Sequence, residues 1–176
     1  MRTAAAATLA VPVSDTDHAR GAADAPTTVV EYGDYECPYC AAARPVLAAL
    51  VDEGRIRLVF RNFPLADIHP YALTAALAAE AAAAADRFWD MHDLLFRHQR
   101  RLRDVDLAGY AARLGLPPAS VVGDAAQAYG DKVEADFASG LASGVRGTPS
   151  LFLDGRPYTG PVEVAALRSA LRSRPR

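Results

Sequence analysis

Cysteine is scarce in this sequence: of 176 residues, two are cysteines, Cys37 and Cys40. A small domain held together by disulfides needs a much higher density of cysteine, so the chain does not belong to that class. Two cysteines also supply only half of the ligands of a typical structural zinc site. The histidines lack the spacing that would complete one; they are His18, His69, His92 and His98. We therefore predict no metal site.

An excess of charge of one sign is also lacking. The formal net charge is −2 and the isoelectric point is about 6.1. No basic excess points to nucleic acid, and we identify no polybasic cluster that would bind an anionic membrane. Neither is therefore an expected partner, and we expect a monomer.

Long apolar runs are absent as well. The longest alanine-rich run, residues 72–85, contains Thr74 and Glu80 and is too short and too weakly apolar to span a bilayer. The run at residues 4–13 is mostly alanine and lacks the leucine-rich stretch of a typical signal peptide. We interpret the start of the chain as a ragged terminus that leads into a short edge strand. This favours a cytoplasmic location; an extracytoplasmic one would fit a mature chain whose signal had been removed.

The order of elements is typical of an α/β domain. A buried strand is predicted in TTVVEYGDY, a helix follows from about Pro38 to Gly54, and a second strand is predicted in RIRLVFRNFPL. Pro38 suits the first position of its helix, because the missing N–H has no partner there in any case. Together these elements form a βαβ unit.

The remainder combines a helical block with a hairpin. Helices are predicted at 72–85, after capping residues Asp86 and Asp104, and from about Tyr129 to Gly140. Asp154-Gly155 predicts a hairpin turn, and a last helix is predicted over residues 162–173. We interpret the helical block as an insertion in one fold, with boundaries at 1–66, 67–140 and 141–176.

The two cysteines form a Cys-x-x-Cys motif, ECPYC, at the junction between strand and helix. Free backbone N–H groups and the positive end of the helix dipole stabilise a thiolate there, and the thiolate is the form that attacks a disulfide. Cys37 is placed to attack, and Cys40, one turn later, to resolve the mixed disulfide. Two inert buried thiols remain a minor alternative.

The sequence resembles the DsbA-like branch of the thioredoxin superfamily. The similarity covers about Leu9 to Leu171 and includes VVEYGDYECPYC, RNFPL, HPYALTAALAAEAA, RFWDMHDLLF and VRGTPSLFLDGRPY. The resemblance implies a thioredoxin fold, a mixed central sheet flanked by helices, with an inserted α-helical domain. It also implies that Cys37 is the nucleophile and Cys40 the resolving cysteine.

Further site residues follow from the same resemblance. Pro38 and Tyr39 would tune the redox potential and contact substrate. Pro149 would follow a cis peptide bond and, with Thr148, face the two cysteines. Glu31 falls where the family has a buried acidic residue that exchanges protons with Cys40. From the sequence alone, a strand glutamate that faces water is a nearly equal alternative for Glu31.

The motif departs from the family's strong oxidants, which carry histidine between the cysteines where this chain has Pro38-Tyr39. Asp34 and Glu36 would raise the pKa of Cys37 if they were close to it. We therefore predict a milder redox agent, with a potential between about −270 and −180 mV.

The resemblance implies a thiol-disulfide oxidoreductase that exchanges disulfides with protein substrates. Its redox group would be the Cys37–Cys40 disulfide, without an organic cofactor, and its redox partner would be of the glutathione, thioredoxin or membrane-oxidase type. One alternative is a kappa-type glutathione transferase or isomerase, which shares the fold but typically uses serine or a lone thiol-activating residue. The other is a non-catalytic thioredoxin-like module that binds peptides.

Overall fold

Two parallel β-branched and aromatic strands lie at the centre of the fold. The computed structural model describes residues 8–173, so residues 1–7 of the predicted ragged terminus lie outside it. The five strands are β1 (His18–Arg20), β2 (Thr28–Gly33), β3 (Arg57–Asn62), β4 (Ser150–Leu153) and β5 (Arg156–Tyr158). The helices are α1 (Pro38–Asp52), α2 (Ala72–Ala83), α3 (Phe88–Arg97), α4 (Asp104–Arg113), α5 (Gly123–Gln127), α6 (Gly130–Ala142) and α7 (Val164–Arg172), with a 3-10 helix at Pro118–Val121.

The strands form one mixed sheet in the order β1-β3-β2-β4-β5. β2 and β3 are parallel, whereas β1, β4 and β5 are antiparallel to their neighbours. The hairpin between β4 and β5 turns at Asp154 and Gly155, which both have positive φ angles, as expected for the predicted turn. The thioredoxin fold and the short edge strand are thereby confirmed.

Alternation along the strands gives the sheet two apolar faces. Val29 and Leu58 pack with Leu47 of α1 and Leu167 of α7 on one face. On the opposite face Tyr32, Val59 and Phe63 pack in another cluster, against which Phe137 of α6 lies. α6 approaches the sheet closely at Gly140, where a Cβ atom would lie only 2.6 Å from the ring of Phe63. A larger residue at Gly140 would push the helix away from the sheet.

Helices α2 to α6 lie in sequence between β3 and β4, where the insertion is predicted. Their apolar side chains form one cluster that also includes Cys37, Cys40 and Phe60. Asn62 at the end of β3 ties the helices to the sheet: its side chain donates to Glu80 of α2 at 2.7 Å, and its backbone N–H to Asp136 of α6 at 3.0 Å. The two cysteines therefore lie where the sheet and the inserted helices meet. The predicted domain boundaries stay a prediction.

Two capping predictions are wrong. The N-cap of α3 is Arg87, and Asp86 has a φ of 57°, because it ends the preceding turn. The N-cap of α4 is Arg103, whose backbone N–H donates to the carboxylate of Asp106 at 3.3 Å. An acid in the third position of the helix thus caps it in place of Asp104. The short α5 and the 3-10 helix were not predicted, because neither is long enough to show a helical period.

Helix α3 carries a buried histidine and a paired acid. His92 is only 3% exposed and lies among aromatic rings. Phe88, Leu95 and Phe96 are core residues. Asp93 accepts hydrogen bonds from the guanidinium groups of two arginines, Arg20 and Arg44. No helix within residues 8–173 is both long and apolar enough to cross a membrane.

Candidate active site

The end of β2, a short loop and the start of α1 position the two cysteines. Cys37 is the N-cap of α1 and Pro38 its first residue, as predicted. The backbone N–H of Cys37 donates to the carbonyl oxygen of Asp34 at 3.1 Å, and its carbonyl oxygen accepts from Ala41 at 3.2 Å. Cys40 lies one turn further along. The sulfur of Cys37 is therefore held at the amino-terminal end of the helix, where N–H groups are unpaired.

The loop before β4 closes over the cysteines. The peptide bond between Thr148 and Pro149 is cis. The Sγ of Cys37 lies 3.3 Å from the carbonyl oxygen of Thr148. The Thr148 hydroxyl is buried and has no hydrogen-bond partner within residues 8–173. The structure thus brings together the two signatures predicted from the sequence, which are 111 residues apart.

The two thiols are both free but differ in their surroundings. A hydrogen bond from Cys40 lowers the pKa of Cys37 to about 5; desolvation opposes this effect, while the backbone N–H groups of Cys40 and Tyr39 add to it. Burial raises the pKa of Cys40, and the hydrogen bond with Cys37 and the charge of Glu31 raise it further. Cys37 is therefore the thiolate and Cys40 the thiol.

Asp34 and Glu36 were expected to raise the pKa of Cys37 if they were close to it, but the pKa is lowered overall and neither acid is among the main causes of its shift. The carboxylate of Asp34 faces the 65–71 segment, where it accepts hydrogen bonds from Leu65 N and His69 Nδ1, each at 2.8 Å. Partial burial opposes a charged His69, but the hydrogen bond and charge of Asp34 raise the pKa of this imidazole overall. Glu36 accepts a hydrogen bond from the backbone of Tyr71. The potential derived from these acids stays a prediction, without this support.

Glu31 is buried beneath the cysteines. Its side chain is 2% exposed, and its Oε1 atom has no hydrogen-bond partner in the described part of the chain. Burial, with a contribution from the negative charge of Cys37, raises the pKa of Glu31 to about 8. The alternative of a glutamate that faces water is therefore wrong. Its role in moving protons stays a prediction.

The two residues between the cysteines face outwards. Pro38 is exposed, and Tyr39 is 73% exposed, an unusual degree for an aromatic side chain. Both are accessible to a substrate that approaches Cys37, but their predicted influence on the potential is not tested by this geometry.

Gln99, which follows α3, is a site residue that the sequence did not reveal. Its Nε2 atom donates to the carbonyl oxygens of Tyr35 and Cys37, at 2.8 Å in both cases. The Tyr35 ring packs between Phe60 and Phe96, and its hydroxyl lies 3.2 Å from Nδ1 of His92. The inserted helices thus hold the loop that carries Cys37. No local pattern marks these contacts, because they join residues far apart in the sequence.

A basic segment surrounds Gln99, contrary to the expectation that no such cluster exists. Residues 97–103, RHQRRLR, contain four arginines and no acid. The density was visible in the sequence, but the overall charge of −2 concealed it. Within residues 8–173, no group of three histidine, cysteine or acidic side chains is arranged to hold a metal ion.

Comparison with known proteins places this geometry in a family. Residues 13–173 match the family model described as thioredoxin. The sequence is 48% identical over 168 residues to "Na(+)/H(+) antiporter NhaA 3" of Salinispora tropica; the alignment covers 94% of this chain and 26% of that protein. The chain thus spans about a quarter of the length of this curated relative.

Solved structures show the same fold. BdbD from Bacillus subtilis, in its oxidised form, superposes with a TM-score of 0.81 at 22% identity and covers 96% of this chain and 97% of its own. The thiol-disulfide exchange protein alpha-DsbA2 from Wolbachia pipientis superposes with a TM-score of 0.75 at 22% identity and covers 90% and 87%. The chain belongs to the thioredoxin family, and the resemblance of its fold to DsbA-like proteins is confirmed.

Proposed function

We propose that this chain is a protein thiol-disulfide oxidoreductase of the DsbA-like type, with Cys37 as its nucleophile. The observation that carries the proposal is the difference between its two thiols. The pKa of Cys37 is lowered to about 5, whereas that of Cys40, fully buried one turn away, is raised. A thiolate beside a thiol separates the attacking sulfur from the resolving one.

The exchange proceeds in two balanced steps. In the first, the Cys37 thiolate attacks one sulfur of a substrate disulfide, so that a mixed disulfide forms and the other substrate sulfur leaves as a thiolate. In the second, Cys40 loses its proton and attacks the Sγ of Cys37, which releases the remaining substrate thiolate. The substrate gains two electrons, and the Cys37–Cys40 pair becomes a disulfide. The reverse sequence oxidises a substrate dithiol, and neither direction requires an organic cofactor.

Glu31 is the group that takes the proton of Cys40. The negative charge of Cys37 helps to raise the pKa of Glu31. That charge disappears once the Cys37 sulfur is part of a mixed disulfide, so Glu31 then ionises more readily. The base thus becomes available at the step in which Cys40 must be deprotonated.

The proposal is tested by trapping. A Cys40→Ala variant should accumulate a stable disulfide between Cys37 and a substrate protein or a cysteine-containing peptide, which is detected by non-reducing electrophoresis and mass spectrometry. Cys37→Ala is the matched control and should trap nothing. Equal trapping through Cys40 in the control would overturn the assignment of the nucleophile. Glutathione conjugation that survives Cys40→Ser would favour the kappa-type transferase, and peptide binding without measurable exchange would favour the non-catalytic module.

A second candidate function is redox exchange with a sodium/proton antiporter. It is favoured by the 48% identity to one segment of a protein named as such, a segment that covers 94% of this chain. The same trap applied to membranes that contain the antiporter decides it: an antiporter captured by Cys40→Ala but not by Cys37→Ala supports this candidate. The cytoplasmic location stays a prediction. An extracytoplasmic one fits equally with DsbA-like exchange.

A further inference from the structure

Two separate segments that contact Cys37 also carry arginines. The first is the arginine segment, residues 97–103, whose Gln99 donates to the Cys37 carbonyl oxygen at 2.8 Å. The second is the loop that covers Cys37, in which Arg146 precedes Thr148 by two residues, and the carbonyl oxygen of Thr148 lies 3.3 Å from the Cys37 Sγ. The arginines are thus close sequence neighbours of the two residues that contact Cys37.

These arginines carry a surplus of positive charge. Arg97, Arg100 and Arg146 are exposed, and none of them forms an ion pair within residues 8–173. Arg101 and Arg103 share the single buried carboxylate of Asp106, while their own side chains remain 72% and 66% exposed.

The nearby acids already have partners. Asp90 and Asp93 line a cavity together with Arg97, but Asp90 is paired with Arg87, and Asp93 with Arg20 and Arg44. Glu36 and Asp34 are bound to the 65–71 segment by hydrogen bonds from Tyr71, Leu65 and His69. A surface cavity of about 360 Å³, lined by residues 96–101, lies within the arginine segment. It offers room for acidic side chains next to Gln99, which contacts the Cys37 carbonyl oxygen.

We propose that the arginine segment and Arg146 form a docking surface for a protein substrate whose reactive cysteine is flanked by acidic residues. The inference rests on the proposed exchange activity and adds the chemistry of the substrate. Planar guanidinium groups recognise carboxylates in a bidentate manner, which suits the side chains of aspartate and glutamate. Opposite charges on the two partners steer their encounter and raise the association rate.

The test compares two peptides that differ only in charge. Each contains one cysteine, blocked as a mixed disulfide with thionitrobenzoate, and is flanked by either three glutamates or three lysines. Attack by Cys37 on the peptide sulfur forms the protein–peptide disulfide and releases the coloured thionitrobenzoate. At about 20 mM salt, the acidic peptide should react about ten-fold faster with the reduced protein, and the ratio should approach one at about 1 M salt.

Charge-reversal variants locate the surface. The ratio should fall to near one in Arg97→Glu/Arg100→Glu and decrease in Arg146→Glu. Arg156→Glu is the matched control, because Arg156 is exposed at the hairpin on the opposite end of the sheet; it should retain the full ratio. Circular dichroism verifies that each variant is folded.

Binding of serine analogues of the peptides separates the two proposals. Fluorescence anisotropy of the labelled analogues should show that the acidic analogue binds more tightly than the basic one, even if the protein exchanges no disulfide. Loss of exchange with this preference intact would therefore refute the activity alone. The docking surface would be overturned if both peptides reacted at equal rates. It would also be overturned if the ratio of the two rates did not change with salt or with the charge-reversal variants. Equal rates together with sedimentation on phosphatidylglycerol vesicles would overturn it in favour of an anionic membrane.

Discussion

Replacement of Glu31 by glutamine should change the pH dependence of stability in a predictable direction. Burial raises the pKa of this carboxyl to about 8 in the folded chain, against an ordinary value of 4.5. A group whose pKa is higher in the folded state contributes stability that is fully present below the unfolded value and lost as pH rises through the folded value. Glu31 should therefore contribute a loss of stability between about pH 4.5 and 8, and the Glu31→Gln variant should be spared that loss.

The size of the effect follows from the same two pKa values. Between them, each pH unit costs about 1.4 kcal/mol, because folding must take up a proton that the unfolded carboxyl has released. The free energy of unfolding of Glu31→Gln, relative to the native protein, should therefore increase by about 3 kcal/mol from about pH 4.5 to about pH 7. Above about pH 8 the difference should become constant. The uncharged amide still has to be buried, but that cost does not depend on pH.

Urea unfolding at several pH values measures this difference. Both proteins are kept reduced, so that the titration of Cys37 occurs in each. Glu134→Gln, on the exposed surface of α6, is the matched control and should follow the native protein. If the difference in the free energy of unfolding between Glu31→Gln and the native protein did not vary between about pH 4.5 and 8, the reasoning would be refuted. The pKa of Glu31 would then be the same in the folded and the unfolded chain. Slower release of trapped substrate by Glu31→Gln would connect the buried acid to Cys40.

Two further predictions concern the loop that carries the nucleophile. The thiolate absorbance of the reduced protein at about 240 nm should increase with a midpoint near pH 5. Cys40→Ala should shift this midpoint to higher pH, because the variant lacks the hydrogen bond that lowers the pKa of Cys37 most. An unshifted midpoint would show that this hydrogen bond is not the cause. Gln99→Ala should lower the free energy of unfolding by about 1–3 kcal/mol, because two carbonyl groups lose their donor. Urea titration measures this loss, with the exposed Gln127→Ala as the control. If both variants unfolded at the same urea concentration, the hydrogen bonds of Gln99 would not stabilise the fold.

Sequence reasoning succeeded where the determining contacts are local. Strand β2, the helix start that carries Cys37 and Cys40, and the Asp154-Gly155 hairpin each depend on a few consecutive residues, and all three are confirmed. The cis bond before Pro149 came from family resemblance, because no local rule distinguishes it from a trans bond. Caps at Asp86 and Asp104 failed, since aspartate is frequent both at caps and in the turns beside them.

What the sequence could not supply is the set of contacts between the sheet and the inserted helices. His92 stands between Met91 and Asp93 in the sequence, and neither neighbour reveals that its ring lies against Tyr35, Phe60 and Phe96. The direction of the Asp34 carboxylate was equally hidden. The carboxylate of Asp34 accepts hydrogen bonds from Leu65 and His69 with one oxygen and from the backbone N–H of Glu36 with the other, which the sequence does not show.

Two chemically identical thiols acquire different roles in this fold because their surroundings differ in two respects. Cys37 is stabilised in its charged form by the hydrogen bond from Cys40 and by backbone N–H groups at the start of the helix. Cys40 lies one turn deeper, over Glu31, where any second charge is opposed by burial and by the carboxylate. Because the charges of Cys37 and Glu31 each disfavour the other, loss of the Cys37 charge in a mixed disulfide favours ionisation below it. In the proposed exchange, formation of the mixed disulfide on Cys37 would therefore favour the deprotonation of Cys40.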